Sequence, residues 1–229
     1  MEFSVIILAA GRGARMRPLT DAIPKPMAPF LNTTLIGHGI SKLIKQVSDI
    51  YVTVGHHADL LAKHSIEQGA SVIINTSGKG NAWWLRHALI RQLDRPLVVL
   101  TADNICELSL SSYINEFSSL PSQTCMIVPV SPIPGVEGDF LKVSNKIYIE
   151  SISRLQPQEH YASGVQILNP INLQRYICDE LFDADYSFNQ LWKALINDNC
   201  LYSSRLIPKN WFSVDTLDQL LHAESIIHE

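Results

Sequence analysis

The chain has 229 residues, a formal net charge of −4 and 46% hydrophobic residues, enough apolar material for one large domain with its own core. That composition excludes a disordered chain, and the acidic balance excludes a global basic field that would recruit nucleic acid. No apolar run reaches the ~18 residues of a membrane span, so no membrane partner is expected.

The first apolar run, residues 4–10 (SVIILAA), has no basic segment before it and passes directly into Gly11-Arg12-Gly13-Ala14-Arg15. This is not the pattern of a secretory leader, and a cytoplasmic location is expected. The run reads as a buried strand of a parallel sheet. Residues 35–47 then place Ile36, Ile40, Leu43, Ile44 and Val47 at helical spacing. A strand at 49–54, a helix at 58–68 closed by Gly69, a strand at 71–74, a helix at 81–93 and a strand at 97–101 complete an alternating series. Such alternation with short connections predicts right-handed βαβ units and an open α/β sheet.

After Asp103 the regularity loosens. Residues 124–130 read as a strand, 141–152 as a hairpin around Ser144-Asn145-Lys146, and 162–168 as a further strand. Pro170 suits the first position of a helix. Ser187 with Gln190 forms a capping box for a helix at 188–197, and Thr216 with Gln219 does the same for a final helix. No repeat or linker interrupts the chain, so a single domain, 1–229, with a small antiparallel elaboration in its second half is expected. The four cysteines, Cys106, Cys125, Cys178 and Cys200, show no CxxC spacing and read as ordinary thiols. His57 and His64 lie two helical turns apart, about 10.5 Å, too far to share one ion. With His56 they read as surface histidines.

The informative passage runs from Leu8 to Met27: LAAGRGARMRPLT, then IPKPM. It begins where a buried parallel strand ends, the place where open α/β sheets bind ligands. Ala9, Ala10, Gly11 and Gly13 leave room for backbone N–H groups to approach a phosphate or base. Residues 11–26 carry Arg12, Arg15, Arg17 and Lys25 against Asp21 alone, a local excess that suits a small anion. Pro24 and Pro26 are expected to hold Lys25 in extended backbone and aim its ammonium group. A Walker A loop would need Lys-Ser/Thr after its last glycine, which neither Gly13 nor Gly80 has. A dinucleotide fingerprint would need a small residue in place of Met16 and an acidic end to the second strand, which here reads Val54-Gly55-His56. A tight turn built by Gly11 and Gly13 alone is the plain alternative, and it leaves the clustered cations unexplained.

The stretch from Leu8 to Met27 resembles the signature of the sugar-1-phosphate nucleotidyltransferases, Leu-Ala-Ala-Gly-x-Gly-Thr-Arg-Leu/Met-x-Pro-Leu-Thr followed by Pro-Lys-Pro, with Ala14 in place of the threonine. The resemblance implies a Rossmann-like α/β fold, a mostly parallel sheet flanked by helices, and an Mg²⁺-dependent transfer of a nucleoside monophosphate to a sugar 1-phosphate with release of pyrophosphate. It implies a nucleotide-binding set of Leu8, Ala9, Ala10, Gly11, Arg12, Gly13, Gly80 and Asn81, with Arg15 on the triphosphate and Lys25 on the reacting phosphates as catalytic groups. Asp103, at a strand end within Ala102-Asp103-Asn104, resembles the family's first metal ligand, and Asn104 and Gly164 fall on the acceptor side. A turn-forming Asp103 is the alternative.

The second metal ligand is less settled. In Trp211-Phe212-Ser213-Val214-Asp215, many relatives carry their aspartate at the position of Ser213, whereas phosphocholine-type cytidylyltransferases carry it at Asp215. Asp215 is chosen, although an Asp just before a helix also stabilises the dipole without any chemistry. Phosphocholine or a related amine is therefore the second acceptor class, with Trp83, Trp84 or Tyr161 as a cation–π wall. Adjacent Trp83 and Trp84 cannot both face one core, so one is expected to line a cleft or partner surface. Lys79 is read as a solvated loop lysine or a phosphate contact. The family's Glu-Lys-Pro element is absent, Ser153-Arg154-Leu155-Gln156-Pro157 standing there, which leaves the acceptor and base open and keeps a non-catalytic nucleotide-sugar-binding subunit as a third reading. The oligomeric state is not encoded in any feature of the sequence.

Overall fold

A computed structural model describes residues 2–133, 138–144, 147–177 and 183–227. It shows the α/β class, sheets flanked by helices, and its contacts group into two compact units.

The first unit comprises Ser4–Gly78, Leu100–Cys106 and Phe212–Glu229. Its strands Ser4–Leu8, Ile50–Val54 and Val72–Asn75 pair in parallel, with Val5 opposite Ile50 and Tyr51 opposite Val72. Val5, Ile6 and Val52 are wholly buried, as continuous apolar strands covered on both faces must be. The helix Leu35–Leu43 starts at Thr34, whose hydroxyl accepts the Gly37 N–H at 3.1 Å. It buries Ile36, Ile40 and Leu43 and stops short of the expected 47, because Ile44 already faces solvent. The helix Ala58–Glu67 ends at Gly69, whose φ of +109° supplies the left-handed residue expected there.

The second unit comprises Met1–Phe3, Lys79–Val99 and Glu107–Trp211. Its axis is the nine-residue strand His160–Leu168, antiparallel to Cys125–Val130, to residues 97–99 and to Phe140–Val143. Phe140–Val143 and Ile149–Ser153 form the expected hairpin; Asn145 and Lys146 lie outside the described residues. Leu201–Ser203 adds one parallel pairing to Cys125–Val130. The helix Phe188–Asn197 carries both bonds of the Ser187/Gln190 capping box.

Two further expected helices are shorter. Residues 81–93 break into a 3-10 turn, Trp83–Arg86, and a single α turn, Ala88–Arg91. The Asn81 carbonyl that an α-helix would offer to Leu85 instead accepts the Trp84 indole N–H at 2.8 Å, and Leu85 N–H turns to Ala82. After Pro170 a 3-10 turn, Gln174–Tyr176, stands where a helix was expected.

Candidate active site

The first strand passes its end residues to the second through two contacts. Ala9 N–H donates to the buried Thr53 hydroxyl at 3.2 Å, and His56 N–H donates to the Ala10 carbonyl at 3.2 Å. Gly55 permits this approach, since a Cβ there would stand 2.7 Å from the Ala10 oxygen. Thr53 is a functional-site support that the periodicity did not reveal. Its only signal was a single threonine among the aliphatic and aromatic residues of the strand Ile50–Val54.

Beyond Ala10 the chain turns outward, with Gly11 and Arg12 both exposed. Gly13 takes φ +61°, and an added Cβ would meet the Lys25 Cβ at 2.5 Å. Gly13 thus provides the space that the Lys25 stem occupies. Its carbonyl also accepts Met16 N–H and the Thr20 hydroxyl, closing the turn. Gly11 has no such reason: nothing lies within 4 Å of a Cβ built on it.

A small core then fixes the segments that bear charge. Met16, Ala28, Phe30, Leu35, Val214, Leu220 and Ala223 pack together, all of them buried. Met16 pins the chain next to Arg15, Ala28 the turn that starts at Lys25, and Val214 the residue before Asp215. Burying such side chains is favourable by about 1.5–3 kcal/mol each for the larger ones, so the loop is held from beneath by apolar contact rather than by its charges.

On that base four charged side chains converge within the first unit. Lys25 Nζ donates to Asp103 Oδ2 and to Asp215 Oδ1, each at 2.8 Å. Arg15 Nη2 reaches the same Asp215 Oδ1 at 2.9 Å. The side chains grade from 10% exposed for Lys25 through 19% for Asp215 and 34% for Asp103 to 61% for Arg15. Two cations and two carboxylates leave the group neutral as a whole. Asp103 sits in the two-residue turn between the strands Leu97–Thr101 and Asn104–Glu107, and its carbonyl accepts Val214 N–H at 2.9 Å. Asp215 is held by Gln219, whose Oε1 accepts the N–H groups of Asp215 at 2.7 Å and Thr216 at 3.1 Å at the head of the helix Leu217–Ile227. Ser213 stays peripheral, its hydroxyl 3.5 Å from Asp215 Oδ2.

One expectation within this loop needs correction. Lys25 is not in extended backbone: Pro24 is extended, but Lys25–Met27 form a 3-10 turn in which the Pro24 and Lys25 carbonyls accept Met27 and Ala28 N–H at 2.8 and 2.9 Å. Pro26 fits near the start of such a turn because the N–H it lacks would have no partner there. Arg17 does not join the cluster; it pairs with Asp21 at 3.0 Å on the surface.

Asp103 Oδ2 and Asp215 Oδ1 share one ammonium group, so they lie no farther apart than twice its bond length to each. Among the described residues no group of three or more His, Cys, Asp or Glu is placed to hold a metal. A pair of hard carboxylates with no soft ligand is nevertheless the set that suits Mg²⁺, which usually keeps waters and completes its shell with substrate phosphates. The residues fit that ion.

The remaining candidates have contacts of their own. Asn104 is half-buried at the start of its strand. Gly80, Asn81 and Gly164 belong to the second unit. A Cβ on Gly80 would stand 2.1 Å from the Tyr186 carbonyl oxygen, and the Asn81 side chain accepts the Phe188 N–H at 2.9 Å. Gly164 takes φ +83° where the register of its strand shifts between Ala162 and Gln166. Trp84 is the buried member of its pair, and Trp83 is half-buried with Lys79 Nζ 5.2 Å from its ring centroid. Tyr161 packs edge-on against Phe140, and Gly138 lies against its ring so closely that a Cβ would be 2.7 Å away. None of the three rings expected as a cation–π wall therefore stands bare. His56 and His57 have rings 4.2 Å apart, and half-buried His64 bonds Thr34 Oγ1 at 2.8 Å instead of facing solvent. Cys106, Cys125 and Cys200 are free thiols, and burial pushes Cys106 up to about 12, which removes it from chemistry near neutral pH. Cys178 lies outside the described residues. No helix among the described residues is long and apolar enough to cross a membrane.

With this geometry in place, the match to known proteins is informative. Residues 4–135 match the family model described as nucleotidyl transferase. The chain belongs to that family. It is 30% identical over 206 residues to mannose-1-phosphate guanyltransferase beta-A of Xenopus laevis, covering 82% of this chain and 57% of that protein. It is 26% identical over 239 residues to the mannose-1-phosphate guanyltransferase of Hypocrea jecorina, covering 89% and 65%. The chain thus spans well under two thirds of the length of its first relative. Among solved structures, a Bacillus anthracis protein crystallised with sucrose superposes with TM-score 0.79 at 18% identity, covering 99% of this chain and 96% of that one. HddC of Yersinia pseudotuberculosis, solved in complex with GMP-PN, does so with TM-score 0.73 at 20% identity, covering 98% and 99%. At these identities the superpositions establish the fold.

Proposed function

We propose that this nucleotidyl transferase family member transfers a nucleoside monophosphate from a nucleoside triphosphate to a sugar 1-phosphate and releases pyrophosphate. The observation that carries the reading is the convergence of Arg15, Lys25, Asp103 and Asp215 beside a loop containing an exposed glycine. The relatives' names supply the acceptor class, with GTP and mannose 1-phosphate the first pair to test.

In this reading an oxygen of the acceptor phosphate attacks the α-phosphorus in line, a new P–O bond forms, and the bond to the β-phosphate oxygen breaks as pyrophosphate leaves. Negative charge spreads over bridging and non-bridging oxygens, so positioned cations matter more than a covalent nucleophile. Lys25 binds the acceptor phosphate and α-phosphate oxygens, and the exposed Arg15 takes the departing β- and γ-phosphates. The backbone from Leu8 to Gly13 receives the nucleotide, with Gly11 leaving the loop open to it. No side chain is needed as a base, because a phosphate monoester is already largely ionised near pH 7. Asp103 and Asp215 would hold Mg²⁺, which supplies further charge stabilisation for the phosphate oxygens.

The test is a panel of acceptors, mannose 1-phosphate, glucose 1-phosphate and phosphocholine, crossed with four nucleoside triphosphates and scored by pyrophosphate release. Turnover confined to sugar 1-phosphates supports the reading. Turnover with phosphocholine alone would replace the acceptor, and ligand binding without turnover anywhere on the panel would replace the enzyme by a binding subunit.

A further inference from the structure

We infer that Lys25 is a built-in competitor for divalent metal, holding in the phosphate-free protein the carboxylate oxygens that a metal ion would use. This rests on reading Asp103 and Asp215 as the metal ligands. Lys25 Nζ has three N–H donors. Two of them are spent on Asp103 Oδ2 and Asp215 Oδ1, both at 2.8 Å, and Arg15 Nη2 loads the same Asp215 oxygen from the solvent side at 2.9 Å.

A divalent ion approaching this neutral quartet meets carboxylates whose charge is already compensated. It would also stand against an ammonium group that is 10% exposed and hence poorly screened. The ion and the ammonium group exclude each other. The backbone of Lys25 is closed into its turn and the stem lies against Gly13, so only the end of the side chain can exchange partners. A phosphate group offers it that exchange. Once Lys25 binds phosphate, the carboxylate oxygens it held on Asp103 and Asp215 are released from its ammonium charge, and metal affinity rises. By linkage, phosphate affinity rises equally when metal is present. Metal and phosphate therefore enter together, and the protein does not hold a stray metal ion in the absence of substrate.

The experiment is Mn²⁺ binding to the full chain, read from the loss of the free Mn²⁺ electron paramagnetic resonance signal. Wild type without phosphate binds weakly, and Lys25→Ala binds about tenfold more tightly, the effect of freeing charged hydrogen-bond acceptors. Unchanged or weaker Mn²⁺ binding by Lys25→Ala overturns the competition. Lys25→Ala combined with Asp215→Asn must lose the gain; a gain that survives puts the ion elsewhere and also overturns it. A second measurement needs no variant: inorganic phosphate, corrected by a protein-free control, tightens Mn²⁺ binding to wild type severalfold. Absence of that tightening overturns the coupling whether or not Lys25→Ala folds. Pyrophosphate release separates this inference from the proposed activity. Wild-type turnover without any gain in Lys25→Ala removes the competition alone, whereas a gain in Lys25→Ala with no turnover by wild type removes the proposed reaction alone.

Discussion

Two stretches of this chain look alike in sequence, each pairing glycines with cations and small residues: Ala9–Arg15 and Gly78–Arg86. The structure treats them oppositely. In the second stretch Gly80 is consumed by packing, since the Tyr186 carbonyl occupies the space a side chain would need. Asn81 is spent on Phe188, Trp84 is buried, and Lys79 lies over Trp83. In the first stretch Gly13 is likewise consumed, by Lys25, but Gly11 stands open and exposed. Gly80 and Gly13 thus have intramolecular reasons in packing, whereas Gly11 has none, and it is this openness that the proposed function uses for the nucleotide.

The sharpest way to break this comparison is at the charge cluster itself. Lys25→Ala is expected to lose roughly a hundred- to thousandfold in turnover, the ~3–4 kcal/mol typical of a lost transition-state charge contact. Near-full activity in a steady-state assay would sink its assigned role. Next in size, Gly80→Ala should lower the unfolding free energy by about 2 kcal/mol or more, because a Cβ would overlap backbone that cannot give way. Urea titration reads this, and a fully stable variant would show that the 184–186 backbone yields. Gly11→Ala should leave the urea midpoint unchanged while raising the Michaelis constant for the nucleotide. Equal damage to stability and binding at both glycines would erase the distinction.

A smaller effect is expected in the second unit, where Tyr176 donates to Asp198 Oδ2 at 2.6 Å. Burial, and then this bond, raise the Tyr176 hydroxyl above its ordinary range. Because the folded value lies above the unfolded one, this stabilisation is complete below about pH 10 and is lost as pH climbs from there toward the folded value. Tyr176→Phe should remove about 1 kcal/mol of stability at pH 7 and flatten the decline above pH 10, as followed by thermal melts across pH. The smallest expected effect is Ser213→Ala. The Ser213 hydroxyl touches Asp215 only at 3.5 Å, so turnover should hardly move, and a large loss would reassign the second acidic position.

The parallel strands around Ser4–Leu8 and Ile50–Val54 were legible because burial on both faces demands unbroken apolar runs, and nothing else in the chain competes with that demand. The cationic loop was legible for a related reason: its glycines and cations lie close together in sequence, so spacing preserves them. Capping at Ser187 and Thr216 was readable too, being local hydrogen bonding within four residues.

The break in the expected 81–93 helix was not legible. It depends on an indole N–H competing for one carbonyl, a choice made only when Trp84 is buried. The 3-10 turn at Lys25 was missed similarly, since prolines constrain φ but leave open which carbonyls are satisfied.

What the amino-acid order determined by itself was the α/β class, the loop that ends the first strand, and its surplus of positive charge, all properties of short windows. The resemblance had singled out Asp103 and Asp215; what only the tertiary structure decided was that Lys25 bonds both of them and that Arg15 joins it on Asp215. Asp103 and Asp215 come from turns 78 and 190 residues away from Lys25. They arrive there because Val214 is bonded to Asp103 and packed beside Met16, a long-range apolar choice that no local pattern records.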